Sequence, residues 1–196
     1  MGNSPQKIYT GIGDKGETRL LSGETVAKDD NRVKTYGSLD EFQSYLGMAR
    51  SLIRQESIQS VLYTIQKDIF VANSELASTP KGLTGLKRRL GKKDISKLEV
   101  WIDEFAELYG LPRHFVVPGQ SQDSAALHIA RAICRRCERL IIMLNRATGD
   151  YDELVVYFNR LSDLLFVLAW LMEIRAIVED VVCDLVESEA KKGNLS

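Results

Sequence analysis

Residues 120–192 contain one glycine, Gly149, and no proline. No other feature of the chain constrains its fold so strongly, because glycine and proline are the residues that interrupt helices. The stretch predicts two long helices on either side of Gly149, over about 121–148 and from about 151 to well past 175. All four prolines (Pro5, Pro80, Pro112, Pro118) fall between segments of helical period, and six of the 14 glycines lie before position 38. Ser38 with Glu41 three residues later reads as a capping box that opens an earlier helix. Leu39, Phe42, Leu46, Ala49 and Ile53 then follow at helical spacing. Two more helices are predicted over about 57–76 and 94–109, the latter stopping at Gly110. No strand-like alternation spans more than a few residues, and there is no internal repeat. The expectation is an all-α, five-helix antiparallel bundle over 38–190, preceded by a glycine-rich N-terminal segment over 1–37, in a single domain.

Composition narrows the function. At 196 residues, with 44% hydrophobic and 27% charged residues, the chain is long enough to bury a core unaided and is not a disordered sequence. A net charge of −1 argues against a generic nucleic-acid binder, which carries a basic excess, and leaves room for a local basic site. Three cysteines, an odd and low number, suggest a reducing compartment. The first residues, MGNSPQKIYTG, carry no signal-like apolar run, and Gln6 departs from the myristoylation pattern. The longest apolar run, Leu164 to Met172, has nine residues where a membrane span needs about 20. A soluble, cytoplasmic protein without a membrane or nucleic-acid partner is expected.

Two basic elements stand out. In YTGIGDKGETRLLSGE (9–24), Gly11, Gly13 and Gly16 permit close backbone approach to a ligand, and successive N–H groups of such turns hold anions. Lys15, Arg19 and Lys28 add charge, and Thr10 and Thr18 add hydroxyls. The pattern is neither a P-loop nor a dinucleotide fingerprint, and a plain glycine-rich turn remains an alternative. In ALHIARAICRRCERLIIML (126–144), a helical wheel puts Ala126, Ile129, Ala130, Ile133, Cys137, Leu140, Ile141 and Leu144 on the core face. His128, Arg135 and Arg139 lie opposite, with Arg131 and Glu138 on one flank and Arg136 on the other. Four arginines and no lysine point to planar, bidentate contact with phosphate or carboxylate, or to a charged subunit interface; a solvated face with intrahelical pairs is the alternative.

Other features read more plainly. Cys134 and Cys137 form a C-x-x-C inside a helix without a second pair, which points to packing. Neither His114 nor His128 has companions at metal-ligand spacing. The segment 80–93 carries six bases and no acid, and reads as a mobile solvated loop or, alternatively, an anion-binding lid. Asn159, Arg160, Ser162 and Asp163 interrupt a strongly apolar helix. They imply either a polar network between helices, such as Asp163 with an arginine of the preceding helix, or a ligand site edged by Asn159.

Three separated segments, IYTGIGDKGETRLLSGE with KDDNRVKTYGSLDEF, FVVPGQSQDSAALHIARAICRRCER, and YFNRLSDLLFVLA, resemble in the same order the PduO-type ATP:cob(I)alamin adenosyltransferases. The resemblance covers roughly residues 7–175. It implies a five-helix bundle, a homotrimer with active sites between subunits, and transfer of the 5′-deoxyadenosyl group of ATP to Co(I) of cobalamin, giving adenosylcobalamin and triphosphate. On it, Thr10, Gly11, Ile12, Gly13, Thr18, Arg19 and Lys28 surround the ATP phosphates. Arg135, Arg136, Glu138, Arg139 and Asn159 complete that site from a neighbouring subunit. Arg131 pairs across the interface with Asp40, Phe115 closes the lower face of the corrin, and Arg131, Arg135 and Asp40 are the catalytic set. Mg²⁺ accompanies ATP, and a flavin-dependent reductase and an adenosylcobalamin-dependent acceptor enzyme are the implied partners. The chain departs from the family at Gln43, where DELN is usual, and at Gln120, where PGG is usual. A rival from another class is a non-catalytic bundle that binds ATP or corrinoid for delivery or regulation.

Overall fold

The computed structural model describes residues 11–193, with the side chains of Ile12 and of 189–193 outside that description. The chain forms a short 3₁₀ turn, Ile12–Lys15, and a hairpin of β1 (Glu17–Arg19) and β2 (Thr25–Ala27), paired antiparallel with Thr18 opposite Val26. The helices are α1 (Asn31–Leu52), α2 (Glu56–Leu76), a single turn α3 (Pro80–Leu83), α4 (Lys92–Tyr109), α5 (Gln122–Thr148) and α6 (Asp152–Gly193). The five long helices bear out the expected all-α bundle. Among the described residues, no helix is long and apolar enough to cross a membrane.

Local chemistry explains most boundaries. Ser121 caps α5, its hydroxyl accepting from the Ser124 N–H while Ser124 Oγ accepts from the Ser121 N–H, both at 3.3 Å. Gly149 ends the helix. Asn145 fixes the turn into α6: its Oδ1 accepts from Tyr151 N–H at 2.8 Å and its Nδ2 donates to Asp152 at 2.7 Å. The start of α1 corrects the sequence expectation. Asp30, not Ser38, is the cap, accepting from Arg32 N–H at 2.7 Å. Ser38 lies inside the helix and donates back to the Lys34 carbonyl at 2.9 Å. A Ser-x-x-Glu pattern can sit within a helix as well as at its start, and Gly37 is tolerated in the exposed second turn.

The core forms where α5 meets α1 and α6. Leu39, Phe42 and Leu46 of α1, Leu127, Ala130, Cys134 and Ile141 of α5, and Phe158, Leu161, Leu165 and Leu168 of α6 are all fully buried. Cys134 and Cys137 pack there as expected. Cys134 Sγ lies 3.5 Å from the Phe158 carbonyl and Cys137 Sγ 3.3 Å from that of Ser38. Burial pushes the Cys137 thiol up to about 12, so it remains protonated.

The basic segment 80–93 is not a free loop. Arg88 pairs with Asp68 and Asp94, both at 2.8 Å. Arg89 pairs with the buried Glu75 at 2.8 Å and donates to the Asp150 carbonyl at 2.7 Å. Leu90 is buried, with its N–H on Glu75 at 2.7 Å. The two arginines thus neutralise carboxylates that α2 buries, a requirement invisible to local composition.

The N-terminal hairpin docks on the end of α2. Leu21 N–H donates to the Ala77 carbonyl at 2.8 Å, Thr79 N–H to Ser22 Oγ at 3.0 Å, and Thr79 Oγ1 to Glu24 at 2.8 Å. The approach depends on Gly82, where an added Cβ would fall 2.4 Å from Ser22 Cβ. Gly82→Ala therefore shifts the hairpin off this seat and lowers stability by about 1–3 kcal/mol. Urea unfolding followed by circular dichroism measures it; an unchanged midpoint contradicts the close approach.

Candidate active site

The first half of the site is the N-terminal segment. Gly11 (φ 69°) and Gly16 (φ 82°) bracket the 3₁₀ turn. The Lys28 N–H donates to the Gly16 carbonyl at 2.8 Å. An added Cβ at Gly13 would lie 3.0 Å from Lys28 Nζ, so the lysine side chain rests directly on this glycine. Gly13 and Lys28 are thus in contact; Gly11, Arg19 and Lys28 are exposed, and Gly13 and Thr18 half-buried. Thr10 lies outside the described residues, as does the Ile12 side chain.

The second half is the outer face of α5 with the adjoining turn of α6. Arg135 and Arg139 are exposed. Glu138 accepts from Asn159 Nδ2 at 3.1 Å. Arg160 Nη1 donates to Asn159 Oδ1 at 2.8 Å, and Arg160 Nε to Glu99 of α4 at 3.0 Å. The Asn159 amide is thus held from both ends. Of the two sequence readings for this insert, the network forms on Asn159 rather than Asp163, which is exposed. Arg136 is ion-paired with Glu41 of α1 on the surface, where such pairs add little stability.

His128 and Ile129 depart from the simple wheel: His128, expected opposite the core, is half-buried, and Ile129, expected on the core face, is 43% exposed. α6 covers this flank of α5. The Arg131 guanidinium sits 5.2 Å from the Phe166 ring centroid, and its Nε is buried without a hydrogen-bond partner. His128 meets the same ring edge-on at 6.3 Å. Its imidazole is held below its ordinary pKa by burial, aided by Arg131 and opposed by Glu173, and so is neutral at pH 7. Asp40 stands exposed on α1.

Phe115 lies in the segment between α4 and α5 and is fully exposed. Leu111 and Val117 of the same segment are exposed as well, so the loop presents an apolar patch rather than a single ring. The contacts of the N-terminal half run to α2 and the turn after it, and those of the arginine face to α1, α4 and α6. Among the described residues, no hydrogen bond or ion pair joins the two basic halves within one chain. The residues that sequence reasoning missed are Glu41, Glu99 and Glu173. Each is an ordinary charged residue in its own window and becomes informative only through a partner on another helix.

These features define a helical bundle carrying two basic surfaces and an exposed aromatic loop. Residues 8–172 match the family described as cobalamin adenosyltransferase, and the chain belongs to that family. A corrinoid adenosyltransferase of Citrobacter freundii is 45% identical over 167 residues, covering 85% of this chain and 95% of the relative. One from Bacillus subtilis is 35% identical over 179 residues, covering 89% and 91%. Among solved structures, a phenylalanine-to-alanine variant of the PduO-type ATP:corrinoid adenosyltransferase of Lactobacillus reuteri, complexed with cobalamin and ATP, superposes with a TM-score of 0.80 at 33% identity, covering 86% of this chain and 94% of that one.

Proposed function

We propose that this chain transfers the 5′-deoxyadenosyl group of ATP to the Co(I) centre of a corrinoid, giving the adenosylated corrinoid and triphosphate, at a site built from two subunits. The observation that carries the two-subunit reading is the separation of the basic halves. The Gly13–Lys28 surface and the Arg135–Arg139 face each suit a polyphosphate, yet among the described residues no hydrogen bond or ion pair joins them within one chain. A homotrimer with the arginine face of one subunit against the N-terminal segment of the next would unite them. The half-buried Arg131, which pairs with no carboxylate among the described residues, and the exposed Asp40 fit the same arrangement, as a pair formed across the interface.

In the reaction, the electron pair of Co(I) attacks the 5′ carbon of ATP. The carbon–cobalt bond forms as the carbon–oxygen bond to triphosphate breaks, and the charge leaves on the triphosphate. The nucleophile belongs to the substrate, so the protein needs no nucleophile–base pair of its own. Its work is electrostatic. Arg135 and Arg139, with Arg19, Lys28 and the backbone N–H groups around Gly11 and Gly13, hold the leaving group, most strongly as its charge develops. Arg136 contributes field from its pair with Glu41. Asn159, held by Arg160 and facing Glu138, borders the nucleotide. The Glu138 carboxylate, a hard oxygen donor beside the arginines, would suit a Mg²⁺ ion accompanying ATP, which would help neutralise the phosphates. Phe115 packs against the lower face of the corrin, excluding water and the lower ligand.

The reaction also asks for a reductase that supplies Co(I), flavin-dependent in this reading, and for an acceptor enzyme that uses the adenosylated product; a cytoplasmic setting fits both. The test of the activity is spectral. Reduced cobalamin with ATP and protein should yield adenosylcobalamin and one triphosphate per turnover. ATP-dependent stabilisation of the protein without any product would instead support a non-catalytic binding bundle.

A further inference from the structure

The segment carrying Phe115 is fastened at its base to a carboxylate that the proposed chemistry leaves unused. Glu173 of α6 is 3% exposed, and a carboxylate buried to that degree needs partners. Its Oε1 accepts from the Gly119 N–H at 3.2 Å and lies 3.8 Å from His128 Nε2. That nitrogen is itself buried without a hydrogen-bond partner. Gly119 has φ 122°, a backbone that disfavours side chains, so this turn is built to present its N–H to α6. A second tie, Gln120 Nε2 to Asp180 at 3.2 Å, is exposed to solvent and is the weaker of the two. Only three residues lie between Phe115 and Gly119, so the Glu173 bond sets where the ring can reach.

We infer that Glu173 is a positioning residue for Phe115, holding the loop base through the Gly119 N–H, with His128 packed behind it on the Phe166 ring. The inference rests on the reading that Phe115 meets the corrin. The carboxylate acts as a hydrogen-bond acceptor and touches neither ATP nor cobalt. Its loss therefore acts on the corrin step, and most on the Co(II) form, whose lower ligand Phe115 has to displace.

The test compares wild type, Glu173→Ala, Glu173→Gln and Phe115→Ala with cobalamin supplied either as Co(II) plus reductant or as Co(I) already reduced. Glu173→Ala is expected to slow adenosylation from Co(II) roughly 10- to 100-fold, the scale of a misplaced active-site group. The KM for ATP should stay unchanged and the loss should be smaller from Co(I). The electron paramagnetic resonance spectrum of bound Co(II) cobalamin should shift towards the form that keeps its lower ligand. Glu173→Gln, which retains an acceptor oxygen, should restore most of the rate. Equal losses from Co(I) and Co(II), a raised KM for ATP, or no rescue by glutamine would each overturn the positioning role. Wild-type behaviour of Phe115→Ala would overturn the reading beneath it as well, whereas a defective Phe115→Ala beside a normal Glu173→Ala would overturn this inference alone.

Discussion

Arg135→Ala is expected to lower kcat/KM for adenosyl transfer by about 10²–10³-fold while leaving the bundle folded. The two halves of that expectation rest on different observations. Arg135 is exposed on the outer face of α5, so truncating it removes no core packing and leaves no buried partner unpaired. Stability should change by no more than about 0.5 kcal/mol. Its chemical role is to meet charge that grows on the departing triphosphate, and such a contact is strongest at the transition state. Arg135→Lys keeps the charge and loses the planar fork, so it should recover only part of the rate. Steady-state assays with Co(I) cobalamin, alongside circular dichroism, measure both halves. An Arg135→Ala protein with full activity would remove the arginine face from the mechanism.

Phe115→Ala is expected to bind ATP normally and to form the carbon–cobalt bond from Co(II) precursor roughly 10- to 100-fold more slowly, the equivalent of about 1.5–3 kcal/mol for one aromatic side chain's burial. The ring is fully exposed in the isolated chain, so the folded protein loses nothing by its removal. The whole cost falls on the complex with the corrin. Isothermal titration with ATP and a stopped-flow record of adenosylcobalamin formation separate the two steps. If the variant instead failed to bind ATP, the loop would belong to the nucleotide site and the corrin assignment would be wrong.

How legible these features were depends on whether their cause is local. The ends of α2, α4 and α5 and the start of α6 follow from periodicity and from Gly110, Ser121 and Gly149, and sequence places them within about two residues. The start of α1 was misplaced because Ser38 and Glu41 satisfy a capping pattern while Asp30 makes the actual bond. The basic run 80–93 looked solvated because the acids it neutralises, Asp68 and Glu75, lie on α2, outside any local window. The arginine face of α5 could be read from a wheel, since Arg135 and Arg139 do point outward. The same wheel sent His128 to solvent, because it contains no information about α6 lying over that flank. Asn159 was legible as a polar residue needing a reason. Glu138 and Arg160 as its bonding partners required the fold.

The central claim is that the glycine-rich segment of one chain and the arginine face of another make a single site, and mixing subunits tests it most directly. Lys28→Ala damages the first half and Arg135→Ala the second, so each protein alone should be nearly inactive. Co-expressed at equal levels, they should form mixed trimers in which one junction pairs an intact segment with an intact arginine face. Random assembly then restores about a quarter of wild-type activity. A mixture no more active than its two parents would place both halves in the same chain and contradict the account.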